Sequence, residues 1–549
     1  MHFHLGGRGK IAMSDAQQPK RPDKGHDPAA GSTAAMSRFS KRTPRIPRTL
    51  GLLLAGAIIG ASLIPATTRA DDPASAGDLW QQGTDLYKQG DYVDALQAFQ
   101  TAAEQGDARA QVDLGMMYLN GVGTGKDASA AVEWFRKAAD QNDAHGQNDL
   151  AAMYSRGTGV PKDDTEALRL YRLAAAQGLA LAQFNLAERY EIGLGVSKDL
   201  VEMVRWYRLA AEQGYAPAQT KLAAAYRFGT GVGQDYGEAR AWYEKAVAQN
   251  YSPAQCDLGS LYANALGVAQ DYAEAMRLYR LAAGQGNPVA EFNIGQLYRQ
   301  GEGVTEDDAE ALRWFRRSAD GGYLMAQNAV GVAYRDGKGV SRDDKEALHW
   351  FRTAAEAGLA VAQSNLGLAY ANGWGTQPDL NQAAAWLHKA ADQGDDWGSF
   401  NLGVLYERGE GVPQDYKEAF RLYQIAAGKG ILVAKVNIGN FYNAGLGVAG
   451  DPAEAAKWYR EPAERGNALA QFNLAALYAK GRGLAQDDVQ AASWYRKAAE
   501  QGFAPAQYEF AKMIAEGRGV PRDDQQARTW MQKASDGGFA DAKTWLSAH

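Results

Sequence analysis

The chain has 549 residues, 58 Lys and Arg against 64 Asp and Glu, a formal net charge of −6 and a single cysteine. One cysteine (Cys256) excludes an internal disulfide framework and cysteine-based zinc sites, and the mildly acidic balance argues against a nucleic-acid binder. Abundant glycine (62), scarce proline (17) and 46% hydrophobic residues exclude a linker-like, disordered composition.

The charge is uneven along the chain. Residues 1–70 carry 11 basic and 3 acidic side chains, a net +8, which leaves −14 for the remaining 479. Within this segment Leu50–Ile64 is an uncharged apolar run, preceded by Arg38, Lys41, Arg42, Arg45 and Arg48. Small residues (Thr68, Ala70) stand three and one before Asp71, so 36–70 has the layout of a Sec-type signal peptide with cleavage after Ala70. The apolar run of 15 residues is short for a membrane span of about 20. The expected location is periplasmic or secreted, with no stable membrane span after cleavage. Residues 1–35 are polar and read as a disordered leader, one that is not translated where synthesis begins, as expected, at Met36.

Residues 71–107 predict a pair of helices with Tyr87 as its reference tyrosine. Beyond them the chain repeats itself. Tyrosines stand at 118, 154, 190, 226, 262, 298, 334, 370, 406, 442 and 478, each 36 residues from the last, and Ile514 takes the next place. Twelve units therefore fill 108–539 without insertion or deletion. Eight residues before the tyrosine is Ala or Gly, and four before it is an aliphatic residue or Phe, the pattern of a short first helix that another helix can approach closely. Three residues after the tyrosine is Gly in eleven units (Ala265 is the exception), and five after it is Gly in all twelve. Positive φ in a tight loop is the expected cause.

Nine residues after the tyrosine stands Asp in every unit, with Glu or Gln three further on in eleven, as in Asp163/Glu166. That spacing predicts a reciprocal capping box opening a second helix. This helix stops at Gly, or at Asn142 and Asn250, the residue type that best replaces Gly in a left-handed cap. Neither helix can bury its apolar stripe alone, so neighbouring units must stack. Residues 540–549 predict a final capping helix.

The string AxAQFNLAxxYxxGxGVxxDxxEAxxWYRxAAEQG, assembled from these units, resembles the Sel1-like repeat of the tetratricopeptide-like families, and the resemblance covers 78 to the C-terminus. It implies an all-α fold: a right-handed α-solenoid of stacked antiparallel helix pairs, twelve 36-residue Sel1-like repeats (108–539) behind an N-terminal tetratricopeptide-like unit (71–107). It also implies an interaction scaffold that binds other proteins, among them envelope polysaccharide or peptidoglycan machinery. A periplasmic sensor-kinase regulator is an alternative, as is an envelope hydrolase of the penicillin-interacting or β-lactamase type. That hydrolase subset pairs thiols within each repeat, and this chain departs from it completely.

No catalytic, metal or cofactor site is expected. The histidines of the mature chain occupy different repeat columns, the glycine loops lack a Gly-Lys-Ser/Thr ending, and no nucleophile elbow is present. Nine of thirteen tryptophans fall in one column of the second helix, where packing explains them. Trp374, between the two loop glycines, and Trp397, beside Asp395 and Asp396, do not. These four residues are the candidate partner or glycan contact. The first helices are expected to line a groove whose most variable column includes Arg189, Ala225, Phe441 and Met513.

Overall fold

A computed structural model describes residues 74–548. The expected leader and signal peptide (1–35, 36–70) lie outside these residues. The described chain forms 27 helices and no strand, arranged as stacked pairs, an α-solenoid. It divides into two compact units with described residues 74–290 and 291–548. In the N-terminal unit the pair Ala76–Gln89 and Tyr92–Glu104 precedes five complete repeats. The C-terminal unit holds the rest of the sixth repeat, six complete repeats and the single helix Ala540–Ala548.

Each repeat builds itself from local chemistry. The first helix ends on a left-handed residue three after the tyrosine, such as Gly157 at φ 66°, and the next N–H bonds back to a carbonyl in the last turn (Thr158 to Met153, 3.1 Å). The chain then turns into the second helix, whose Asp caps it in all twelve repeats. Asp163, for example, accepts from the N–H groups of Thr165 and Glu166 at 2.9 Å.

The reciprocal half of the expected capping box is not formed. The cap's own N–H donates instead to the carbonyl of the reference tyrosine, as in Asp163 to Tyr154 at 2.9 Å. The Glu is thereby released to its own helix face. Glu166 holds Arg169 at 2.7 Å, and Glu346 accepts from Trp350 Nε1 at 3.0 Å.

The tyrosine has a second bond. Its hydroxyl accepts from an arginine of the preceding repeat, Arg172 to Tyr190 at 3.0 Å and Arg352 to Tyr370 at 3.2 Å, and His388 takes the arginine's place at Tyr406. The 36-residue period thus marks a residue that ties the loop by its carbonyl and, in repeats where Arg or His stands opposite, the neighbouring repeat by its hydroxyl.

The two loop glycines differ in what they require. A Cβ on Gly159 would lie 2.2 Å from the carbonyl oxygen of Ala128, at the start of the preceding repeat's second helix, and Gly195, Gly339 and Gly519 meet the equivalent carbonyl at 2.0–2.3 Å. At Gly157 the nearest atom is Lys162 Cβ at 3.2 Å, so only the left-handed φ restricts it. Ala265, at φ 56°, occupies that second kind of position. The helix-ending glycines such as Gly178 have nothing within 4 Å, which is why Asn142 (φ 62°) and Asn250 (φ 58°) can stand there.

A buried glutamine row joins second helix to first. In the N-terminal unit Gln111, Gln147, Gln183, Gln219 and Gln255 each accept from a glutamine 30 residues later at 2.8–2.9 Å. Gln111, Gln183 and Gln219 donate in turn to a helix-end carbonyl eight residues back, whereas Gln147 and Gln255 donate to the side chains of Asn142 and Asn250.

In the C-terminal unit the row is edited in a consistent way. Where the later glutamine is Ala357 or Gly537, the Oε1 of Gln327 or Gln507 has no partner. Where it is Gly321, the buried member is Glu291, held by Arg317 at 2.8 Å, and Lys435 pairs with Glu461 under the opposite polarity.

Gly159→Ala is expected to cost more than ~3 kcal/mol in urea unfolding, because both φ and a backbone contact oppose it, and Gly157→Ala only about 1 kcal/mol. Ala357→Gln should stabilise by about 1 kcal/mol by pairing with Gln327, a gain that vanishes in a Gln327→Leu background.

Candidate functional site

Counting each repeat from the start of its first helix (Ala108, Ala144 and so on), the sixth and ninth positions lie where neighbouring first helices meet, as Asn473 at the sixth meets Asn440 at the ninth of the preceding repeat at 3.0 Å. In the N-terminal unit the sixth position reads Asp113, Asp149, Asn185, Lys221, Asp257, and the ninth includes Glu188 and Ser260. Asp113 is recessed and accepts from Trp80 Nε1 at 2.8 Å, with the Arg109 guanidinium 4.1 Å over the Trp80 ring. Burial raises the Asp113 carboxyl above its ordinary value in spite of that bond.

Burial pushes Asp149 up to about 6, opposed by the Asn148 amide at 3.0 Å and by His145, and reinforced by Asp143 and Asp113. Glu188 is raised for the same reason, with Lys221 opposing and Glu191 reinforcing. Glu191 accepts from Tyr207 at 2.7 Å and from Lys221 at 3.1 Å. Successive repeats therefore hold recessed carboxyls that ionise at a cost. Such groups concentrate where a protein binds or reacts.

The C-terminal unit carries a different face. From the seventh to the eleventh repeat these two positions read Ala329/Val332, Asn365/Leu368, Asn401/Val404, Asn437/Asn440 and Asn473/Ala476, with no charge. Tyr459 donates to Asn440 at 2.8 Å, and Asn473 Nδ2 donates to the same oxygen at 3.0 Å. Asn437 likewise meets Tyr423. Where the second-helix tyrosine of the preceding repeat is Phe351 or Leu387, the following amide loses its partner: Asn365 Oδ1 and both amide atoms of Asn401 are buried and unpaired.

The expected groove column is corrected by this arrangement. Arg189, Ala225, Phe441 and Met513 are buried at 9%, 4%, 1% and 3% exposure. They sit at the tenth position, against the second helix of the preceding repeat, as where Phe441 stands 5.5 Å from Tyr423, so their variation adjusts core volume. Arg189 reaches Asp164 at 3.1 Å.

Of the four candidate contact residues, Asp395 caps helix Asp396–Arg408, accepting from the Gly398 N–H at 2.6 Å and from Ser364 of the preceding repeat. Asp396 opens the same helix, and Trp397 beside it is half-buried, edge-on to Phe400 at 5.7 Å. Trp374 follows helix Ala360–Asn372, half-buried beside Leu368 and Leu387, its N–H bonded to the Ala369 carbonyl at 2.9 Å.

These two helices touch and run parallel, so Trp374 and Trp397 stand at opposite ends, roughly 20 Å apart along the axis. The structure brings Asp395, Asp396 and Trp397 together and leaves Trp374 apart. Between those ends residues 362–369 and 398–405 are buried without a break, so the first helices here are enclosed on all sides.

Among the described residues no three His, Cys, Asp or Glu side chains group as metal ligands, and no helix is long and apolar enough to cross a membrane. The recessed acids were missed by a reading that sought invariant columns. The available signal was Asp113 and Asp149 one period apart at the same helical position.

Because the folded Asp149 value lies above the unfolded one of 3.8, its ionisation penalty is absent below about pH 4 and grows as pH rises through 6. Asp149→Asn should therefore raise stability by about 1 to 2 kcal/mol at pH 7.5 and leave it unchanged at pH 4, read from thermal midpoints.

The family model described as Sel1 repeat matches twelve segments, from 108–143 through 504–539. Among solved structures, the chain is similar to a protective antigen present in uropathogenic Escherichia coli strains, which displays an SLR fold. Identity there is 34%, over 82% of this chain and 89% of that one, with a TM-score of 0.53. It is also similar to a Sel1 repeat protein from Oxalobacter formigenes, at 34% identity over 56% of this chain and 89% of that one, with a TM-score of 0.43. No curated protein matches the chain. Repeats of this kind mediate protein–protein interaction, and the family is typically a scaffold without enzymatic activity. With its matches running in register from 108 to 539, the chain belongs to the Sel1 repeat family.

Proposed function

We propose that the protein is an exported interaction scaffold of the bacterial envelope, binding partner proteins along its row of first helices and catalysing no reaction. The observation that carries this reading is the division of labour within a repeat. Capping aspartates, loop glycines and the loop-tying tyrosine carbonyl recur with almost no change, while the ninth position changes from repeat to repeat and the sixth, Asn or Asp in most repeats, departs at Lys221, Ala329 and Glu509. Outside the enclosed repeats at 360–408, where these positions remain half-exposed, a surface that varies on an invariant frame is what an extended partner can read.

Export rests on the apolar run at 50–64 with its basic flank and the small residues before Asp71. The similarity to a protective antigen of a pathogen is consistent with an envelope role. Trp397 with Asp395 and Asp396 makes one candidate contact at the end of the enclosed segment, and Trp374 a separate one.

Photo-crosslinking residues at Asp113, Lys221 and Asn437 should capture partner proteins in periplasmic fractions, whereas the same residue at Arg240 or Arg496, on second helices, should not. Equal capture from both sets would sink the face assignment. Mature protein beginning at Asp71 is the expected result of N-terminal sequencing, and a retained 36–70 segment would count against export by cleavage.

A further inference from the structure

In both units a charged side chain at the twelfth position of the first helix is normally matched. Glu191 is met by Lys221, 30 residues on, at 3.1 Å. Arg227 is met by Asp257, again 30 residues on, at 4.0 Å, and by Ser260, 33 residues on, at 3.1 Å. Glu407 accepts from Tyr423, and Arg335 pairs with its neighbour Asp336 at 2.6 Å. The remaining member of this set is Arg299. The residues 30 and 33 positions after it are Ala329 and Val332, which supply neither charge nor hydrogen bond.

Arg299 is left recessed and unpaired. Its guanidinium lies 5.7 Å from the centroid of the Phe315 ring, and among the described residues it makes no ion pair or hydrogen bond. Asp308 acts on it only at longer range, and burial holds its basicity below the ordinary arginine value. One turn earlier the Oε1 of Gln296 is buried without a donor, and a neutral amide cannot balance a guanidinium. A recessed, unmatched cation beside Phe315 is costly in the free protein and binds an anion strongly, because apolar surroundings weaken competition from water.

We propose that Arg299 is a carboxylate-binding site for an acidic peptide segment of a partner protein, which supplies from outside the carboxylate that Asp257 gives Arg227 from within. Planar bidentate pairing is the geometry in which a guanidinium binds a carboxylate best. The location depends on the scaffold reading, since it places the partner along the first helices, but the anion chemistry does not.

The test is fluorescence anisotropy of the purified protein with fluorescein-labelled hexaglutamate, and with hexaglutamine as the neutral control. Hexaglutamate should bind and weaken as salt is raised, and hexaglutamine should not bind. Arg299→Ala and Ala329→Asp should each weaken binding at least tenfold, with helical content unchanged by circular dichroism.

Ala329→Asp keeps the arginine and supplies an internal carboxylate, so it remains informative should Arg299→Ala fold poorly. Glutarate should displace the peptide, and inorganic phosphate at the same concentration should not. Displacement by phosphate, absence of hexaglutamate binding, or full binding by either variant would overturn the assignment. Those results would leave crosslinks from the first helices, and with them the scaffold reading, untouched.

Discussion

The architecture depends on one backbone contact: the loop glycine five residues after the tyrosine, pressed against the first turn of the preceding repeat's second helix. With a Cβ position only 2.0–2.4 Å from a carbonyl oxygen at Gly123, Gly159, Gly231 and Gly519, no side chain can enter. This contact sets how deeply one repeat seats on the last. The tyrosine carbonyl holds the loop in place through the cap N–H, and the tyrosine hydroxyl and the bonds that the buried glutamines donate to the preceding repeat's helix end act across the same seams. A loop lengthened by one residue would break these ties together. That coupling gives the constant 36-residue spacing a mechanical cause.

The period, the helix pairs and the left-handed caps were legible in the sequence because each repeats a local requirement twelve times. Asn142 and Asn250 could be read as caps from one repeat alone, since the demand on them is only φ. The second role of the loop glycine was hidden, because contact with another repeat leaves the same mark on the chain as a tight turn. The capping box was half misread for a related reason. Asp and Glu at the right spacing announce a box, but the cap's N–H had a stronger claim from the tyrosine carbonyl, which lies nine residues away in sequence.

The partner face was the least legible part, and the error was physical. Variation was taken as a sign of exposure, yet Arg189, Ala225, Phe441 and Met513 vary inside the core. In a repeat protein a buried column can vary when adjacent columns compensate, just as Glu291 with Arg317 and Lys435 with Glu461 exchange polarity at one site. Helical position decides exposure, and variability does not. Once the sixth and ninth positions are followed, recessed acids gather in the first three repeats and uncharged side chains in the seventh to eleventh.

Those two faces hold their polar groups by different means. The amides at Asn440 and Asn473 are paired within the frame, so they cost little in the free protein and offer it spare donors. The carboxyls at Asp113, Asp149 and Glu188 are held by burial against their tendency to ionise, a cost that any cation laid beside them would relieve. Arg299 is the mirror of this, a cation held without its anion. A frame that pairs most of its own polar groups, down to the exchange of Gln147's acceptor when a glycine cap becomes Asn142, leaves these charged groups unbalanced. Their imbalance is a difference in free energy available to a partner and absent from the repeats that complete themselves.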